Sequence, residues 1–186
     1  MLQDNARGFG LITIVLHWAC ALAIFFLFGL GIYMTGLSYY EPWYHKGPTL
    51  HVSVGLCLLL AMLARLIWRL VSRSPDPLPS HSPLVRFAAS AVKIFLYALI
   101  FTVLATGYLI TSAEGKSPAM FGLLEFPVLL QLNADNVDLA GWIHEIFAWA
   151  IMIVAGVHAL AALAHHFIFK DRTLVRMLKP VHKTDL

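Results

Sequence analysis

Residues 141–166 read GWIHEIFAWAIMIVAGVHALAALAHH, a run apolar enough to lie in lipid that nonetheless carries four histidines. An ionisable side chain in hydrocarbon needs a partner, and inside a membrane segment it marks a functional site by default. The question is what keeps His144 and His158 among Ile, Val, Ala and Phe.

The whole chain has the same character. Of its 186 residues 60% are hydrophobic and only 12% charged, against about 25% charged in a soluble domain. A spanning helix needs about 20 mainly apolar residues. Four segments qualify, roughly 11–35, 49–71, 87–112 and 139–169. The expected fold is therefore an all-α membrane protein, a single four-transmembrane-helix bundle over residues 1–186. Pro48 precedes the second segment and suits a helix start. SRSPDPLPSHSP (72–83) cannot continue a helix and must connect spans two and three. MLQDNARG lacks a basic n-region and the apolar run after it is too long for a signal peptide, so the first segment is expected to stay as a span.

Of thirteen Lys and Arg, only Lys46 and Lys116 fall on one side of these spans. The positive-inside rule then places the N- and C-termini in the cytoplasm and residues 36–48 and 113–138 outside. The net charge of +3 reflects this topology and anionic lipid, not nucleic acid. Cys20 and Cys57 lie in apolar stretches and belong to no CxxC pair, which argues against disulfide, zinc and iron–sulfur sites; without CxxCH there is no covalent c-type haem. Both read as small packing residues.

The histidines sort by position. His45, His81 and His182 fall in loops or the tail, where a solvated ring is ordinary. His144 and His158 are fourteen residues apart, about 1400° of helix and so roughly 40° short of four turns, ~21 Å along the axis. They share one face of the fourth span. Because spans alternate in direction, His51 at the outer end of span two can share a level with His144, and His17 in span one a deeper level with His158. Two facing imidazoles at one level are what a six-coordinate haem iron requires. A zinc site would need three or four ligands at one level, and these converge in twos.

Other residues allow two readings each. Gly31, Gly55 and Gly156 would let a flat macrocycle approach the backbone, or serve close helix packing. Arg65, fourteen residues after His51, could bind a haem propionate or snorkel to headgroups. His165, seven residues after His158, could bond a propionate, bind and protonate a quinone, or cap the helix end beside His166. No GxxxG dimer face is evident.

With ITIVLHWACALAI around His17, LHVSVGLCLLLAMLARLIWRL with His51, Gly55, Arg65 and Arg69, and WIHEIFAWAIMIVAGVHALAALAHHFIFKDRTLVRML, the chain resembles the bacterial cytochrome b561 proteins over nearly its whole length. The resemblance implies four axial ligands at His17, His51, His144 and His158, two non-covalent haem b groups, an inner-membrane location and exchange of electrons with ubiquinone. It further implies superoxide oxidation coupled to quinone reduction: the outer haem would take an electron from superoxide or another small periplasmic donor, and the inner one would pass it to quinone. His45 and Lys46 would attract the anion locally, although Glu41, Glu114, Glu125, Asp135, Asp138 and Glu145 give the outer face the wrong sign for global steering.

Two other functions compete. A haem b membrane anchor would pass electrons between quinone and a separate redox-protein partner, docked for instance on FGLLEFPVLLQL (121–132). A non-redox scaffold or proton conductor would need a membrane-embedded carboxylate, and the sequence places Glu145 at a helix end.

Overall fold

In a computed structural model, residues 1–113 and 115–181 are described; Glu114, His182 and Lys183 of the charge and histidine reading lie outside them. Four long helices carry the fold: α1 (Leu11–Thr35), α2 (Trp43–Val71), α3 (Pro83–Ser112) and α4 (Ala134–Phe167), followed by the single turn α5 (Val175–Leu178). Each long helix is apolar and long enough to cross a membrane, with mean hydropathy of 2.1 to 2.5. The expected four-span, helical membrane fold is what the chain forms.

Helix starts differ from the expectation. α2 begins at Trp43, so Pro48 lies inside it. Its missing N–H costs the helix one backbone bond. α3 begins at Pro83, the position where a proline's absent donor is harmless, and Ser82 Oγ accepts the Val85 amide at 3.3 Å as an N-cap. α4 begins at Ala134 with Asn133 Oδ1 accepting the Asn136 amide at 3.0 Å. Asp135 and Asp138 are thus helical, and Glu145 stands about three turns into α4, not at its end.

One small sheet interrupts the all-helical expectation: β1 (Ala119–Met120) pairs antiparallel with β2 (Leu124–Glu125). Its turn holds Phe121 and Gly122 at φ of 53° and 69°, the positive values that primed hairpin turns need.

The chain divides into two compact units. The first comprises Met1–Cys20, Ala61–Leu96 and the chain from Ile153 onward. Here the N-terminal arm is tied down by its own polar groups. Asp4 accepts the Gly10 amide at 2.6 Å and the Thr13 hydroxyl at 2.8 Å. The arm also reaches the tail, where the Val181 amide donates to Phe9 O at 3.0 Å. Trp18 Nε1 donates to Met177 O at 2.8 Å and Trp68 Nε1 to Thr13 Oγ1 at 2.9 Å. The second unit comprises Ala21–Leu60 and Tyr97–Met152. Buried Ser53 of α2 fixes the hairpin there: its hydroxyl accepts the Phe121 amide at 3.0 Å and donates to Thr49 O at 2.8 Å.

Candidate functional site

In the second unit, His51 of α2 and His144 of α4 face each other with ring centres 6.2 Å apart and planes at 60°. A metal bonded to one nitrogen of each ring at about 2 Å holds imidazole centres at roughly this separation. Both rings stand in the wall of a cavity of about 580 Å³, lined mainly by apolar side chains, with Thr35, Tyr108, Thr111 and Glu145 among them, and by Gly31, Gly55, Gly107 and Gly141, one from each long helix. A Cβ on Gly31 would lie 3.6 Å from His51 Cε1, and one on Gly107 only 2.9 Å from His144 Cε1. Side chains on Gly55 or Gly141 would meet nothing within 4 Å.

The protonation of His144 follows from its neighbours. Nδ1 lies 2.9 Å from the Val103 carbonyl oxygen, which can only accept, so Nδ1 carries the proton and Nε2 keeps its lone pair. Thr106 Oγ1 stands 3.2 Å from the same nitrogen. This backbone support is what orients metal-binding histidines. In His51, Nδ1 is buried without a hydrogen-bond partner. An orphaned buried nitrogen costs about 1–3 kcal/mol, a cost that only a partner bonded at Nδ1 itself would remove. The donor chemistry, spacing and glycine-lined cavity all fit a haem held between two neutral imidazoles.

The first unit gathers His17 of α1, His158 of α4, Arg65 of α2 and Lys93 of α3. His158 and Arg65 act electrostatically on His17, and Arg65 and Lys93 act on His158. Arg65 Nη2 donates to His17 Nδ1 at 2.8 Å. A guanidinium only donates, so this contact places the neutral ring's proton on Nε2. Iron bound through Nε2 would require the opposite tautomer, and Arg65 would then have to release the ring. Arg69 Nη1 is buried with no partner, and Lys93 lies within its electrostatic reach. Arg65 and Lys93, the cations acting on the histidine pair, suit the carboxylates of a haem.

His165, at the end of α4, is not a bare helix cap. Its Nδ1 lies 2.5 Å from Asp171 Oδ2, and His81 Nε2 lies 3.1 Å from the same oxygen. His81, expected to be solvated, is thus half-buried in a cluster. Burial opposes ionisation of Asp171, yet bonds from the Thr173 hydroxyl and amide and from His165 and His81 hold its carboxyl well below the usual range. His45 and Lys46 line a shallower cavity of about 380 Å³ with Thr49, Leu50, Ser53 and Phe121.

Sequence reasoning missed several of these. Val103 acts through its carbonyl and leaves no side-chain signal. Gly107, Arg69 and Lys93 were visible as a glycine and cations within apolar runs. Asp171 draws in His81 from 90 residues away, which no local pattern reveals.

The profile of the prokaryotic cytochrome b561 family matches residues 8–180. The chain belongs to that family. It is 43% identical over 175 residues to cytochrome b561 homolog 2 of Escherichia coli, covering 94% of this chain and 93% of that protein. It is 31% identical to a probable superoxide oxidase, CybB, of Yersinia pestis, over 92% of this chain and 96% of that one. Cytochrome b562 of Cereibacter sphaeroides is 32% identical, over 93% and 96%. This cytochrome b561 is accordingly a haem b electron-transfer protein, multi-pass in the bacterial inner membrane, with lipid around its four spans.

Proposed function

We propose that this cytochrome passes electrons from a small periplasmic donor, superoxide, to ubiquinone, with two haem b groups held by His51 and His144 on the outer side and by His17 and His158 on the inner side. The observation that carries the reading is the facing pair His51–His144 across a glycine-lined apolar cavity. The name of the Yersinia pestis relative supports superoxide as donor. Haem b supplies reversible one-electron transfer. The net reaction balances as two superoxide anions, one quinone and two protons giving two dioxygen molecules and one quinol.

The chain's own residues have distinct tasks. Val103 O holds the His144 ring in the ligating tautomer, and Gly107 leaves the space the ring occupies. Arg65, with Arg69 and Lys93, supplies positive charge for the inner propionates. Lys46, beside His45 in the shallower outer cavity, offers local positive charge to an anion on an otherwise acidic outer face. His165 is the candidate for the quinone site.

A pyridine haemochrome assay on the detergent-purified chain tests the cofactor count. Two haems b per chain, falling to about one in His144→Ala and in His17→Ala, is the expected result; a colourless protein would sink the paired-ligand reading. Superoxide turnover by the isolated chain with a soluble quinone tests the reaction.

A second reading has one observation in its favour: Phe121, Leu123, Leu124, Leu129 and Leu130 are exposed on and beside the hairpin, as a docking surface for a redox-protein partner would be. Co-purification of a stoichiometric partner, with no superoxide turnover by the chain alone, would favour that membrane-anchor role.

A further inference from the structure

We propose that His81, His165 and Asp171 form a binding site for a divalent transition metal of the zinc class, which fastens the 72–83 connection to the end of α4. The proposal goes beyond the electron-transfer reading and stands or falls independently of it. His165 binds the metal through Nδ1, which leaves its Nε2 for the role given above.

One donor atom from each of the three residues lies within 4.8 Å of the other two, the only such group among the described residues. Asp171 Oδ2 is 2.5 Å from His165 Nδ1 and 3.1 Å from His81 Nε2. The two rings are 4.9 Å apart. Zinc bonded tetrahedrally at about 2 Å from each donor spaces the donors roughly 3.3 Å apart. To admit it, the Asp171–His165 contact opens by less than about 1 Å, and the Asp171–His81 contact hardly changes.

The local chain holds these donors in place. Lys170 adopts a φ of 53°, uncommon for a residue with a side chain. It turns the chain back after α4, so that the Asp171 amide donates to His165 O at 3.0 Å. Asp171 Oδ1 accepts the Thr173 amide at 2.8 Å. That bond fixes the carboxylate with Oδ2 toward the rings, as hydrogen bonds to a ligating carboxylate do. The His81 amide closes a turn onto Leu78 O at 3.0 Å, and its ring Nε2 lies 3.2 Å from the Thr173 hydroxyl. The side chains of His81, Asp171 and His165 retain 15%, 9% and 20% of their exposure. They are sheltered, yet an ion can enter and water can fill the fourth position.

Two imidazole nitrogens and one carboxylate oxygen suit zinc and similar divalent metals, whereas magnesium and calcium take oxygen donors. Each ring now donates a proton to Asp171, because a carboxylate only accepts. When the metal takes a ring nitrogen's lone pair, that proton moves to the ring's other nitrogen or leaves to water. One dication then joins the connection, the end of α4 and the turn after it, in place of two hydrogen bonds. Of the neighbouring charges, Arg172 and Arg176 oppose a dication and Asp76 favours it. Arg176 Nη1 is engaged with the Asp76 carbonyl at 2.9 Å.

The experiment strips the detergent-purified holoprotein with EDTA and dialyses it against buffered micromolar zinc. Zinc and haem iron per chain are then counted by plasma mass spectrometry in wild type, His81→Gln, Asp171→Asn and His166→Gln. Wild type and His166→Gln should retain about one zinc per chain more than the other two, with haem content equal throughout. Trypsin reads the fastening separately. It cuts after Arg73, which is exposed in the connection, and zinc should slow that cut severalfold in wild type but not in His81→Gln. Equal zinc retention in wild type and His81→Gln overturns the site and leaves the cluster a hydrogen-bonded contact. Zinc that binds without slowing the cut overturns the fastening. If Asp171→Asn loses its haem, and with it its fold, His81→Gln alone decides.

Discussion

Gly107 of α3 presses against the imidazole of His144 on α4: a Cβ at 107 would stand 2.9 Å from Cε1 and 3.3 Å from Nδ1 of that ring. The third helix contributes no histidine, yet it sets the ring twice over, by the absence of a side chain at 107 and by the Val103 carbonyl one turn earlier.

Gly107→Ala should therefore damage the outer site without touching a ligand. The new methyl forces the His144 ring to turn and so breaks its bond to Val103 O. Haem content should fall from two per chain toward about one, read by pyridine haemochrome, as in His144→Ala. Thr106→Val is the control. Its hydroxyl already donates to the Thr102 and Val103 carbonyls at 2.9 and 3.0 Å, so its loss leaves the Nδ1–Val103 bond in place and haem content near wild type. Full haem occupancy in Gly107→Ala would show that the ring does not need this position.

Arg65 offers a test of the inner site. In the structure it occupies the His17 nitrogen that must carry a proton when iron binds Nε2, so ligation and this contact exclude each other. Once released, its charge would be free to pair with a haem carboxylate. Arg65→Leu should then lower the midpoint potential of one haem and leave the other unmoved, because a lost positive charge favours the oxidised state. Potentiometric titration of the two α-bands checks this, and equal displacement of both bands would place Arg65 elsewhere.

Ser53→Ala should loosen the hairpin. Its hydroxyl is buried, bonds the Phe121 amide, and lies 3.4 Å from Ala119 O. Removing it leaves a half-sheltered amide without its acceptor, about 1–3 kcal/mol of local cost. Limited proteolysis should cut within residues 119–125 faster than in wild type, with haem content preserved.

The four spans and the facing of His51 and His144 were legible because two simple lengths govern them: the thickness of hydrocarbon and the 3.6-residue period of a helix. Fourteen-residue spacing puts His144 and His158 on one face whatever surrounds them. Helix starts were less legible, since Trp43–Gly47 is polar enough to read as loop yet continues α2 through Pro48. The hairpin was not legible, because its turn asks Phe121 to adopt a positive φ and a phenylalanine gives no sign of that. Nor was the Asp171 cluster: His81 lies 90 residues away from Asp171 in sequence, and only tertiary folding brings it there.

Asp171 also makes an acid-stability prediction whose sign can be worked out. Desolvation raises its carboxyl's proton affinity, but bonds from Thr173, His165 and His81 outweigh that and hold it below the usual carboxylate range. A group whose folded value is depressed contributes stability that is complete above its unfolded value, about 3.9, and that fades as pH falls through the folded value. Wild type should therefore melt above Asp171→Asn by about 5 °C at neutral pH, the size expected when hydrogen bonds to one charged, sheltered group are weakened. The gap should persist down to about pH 4 and close only in stronger acid. Thermal melts followed by haem absorbance at several pH values measure it, and a gap that is absent at pH 7 or widens on acidification would show that the cluster does not hold this end of the protein together.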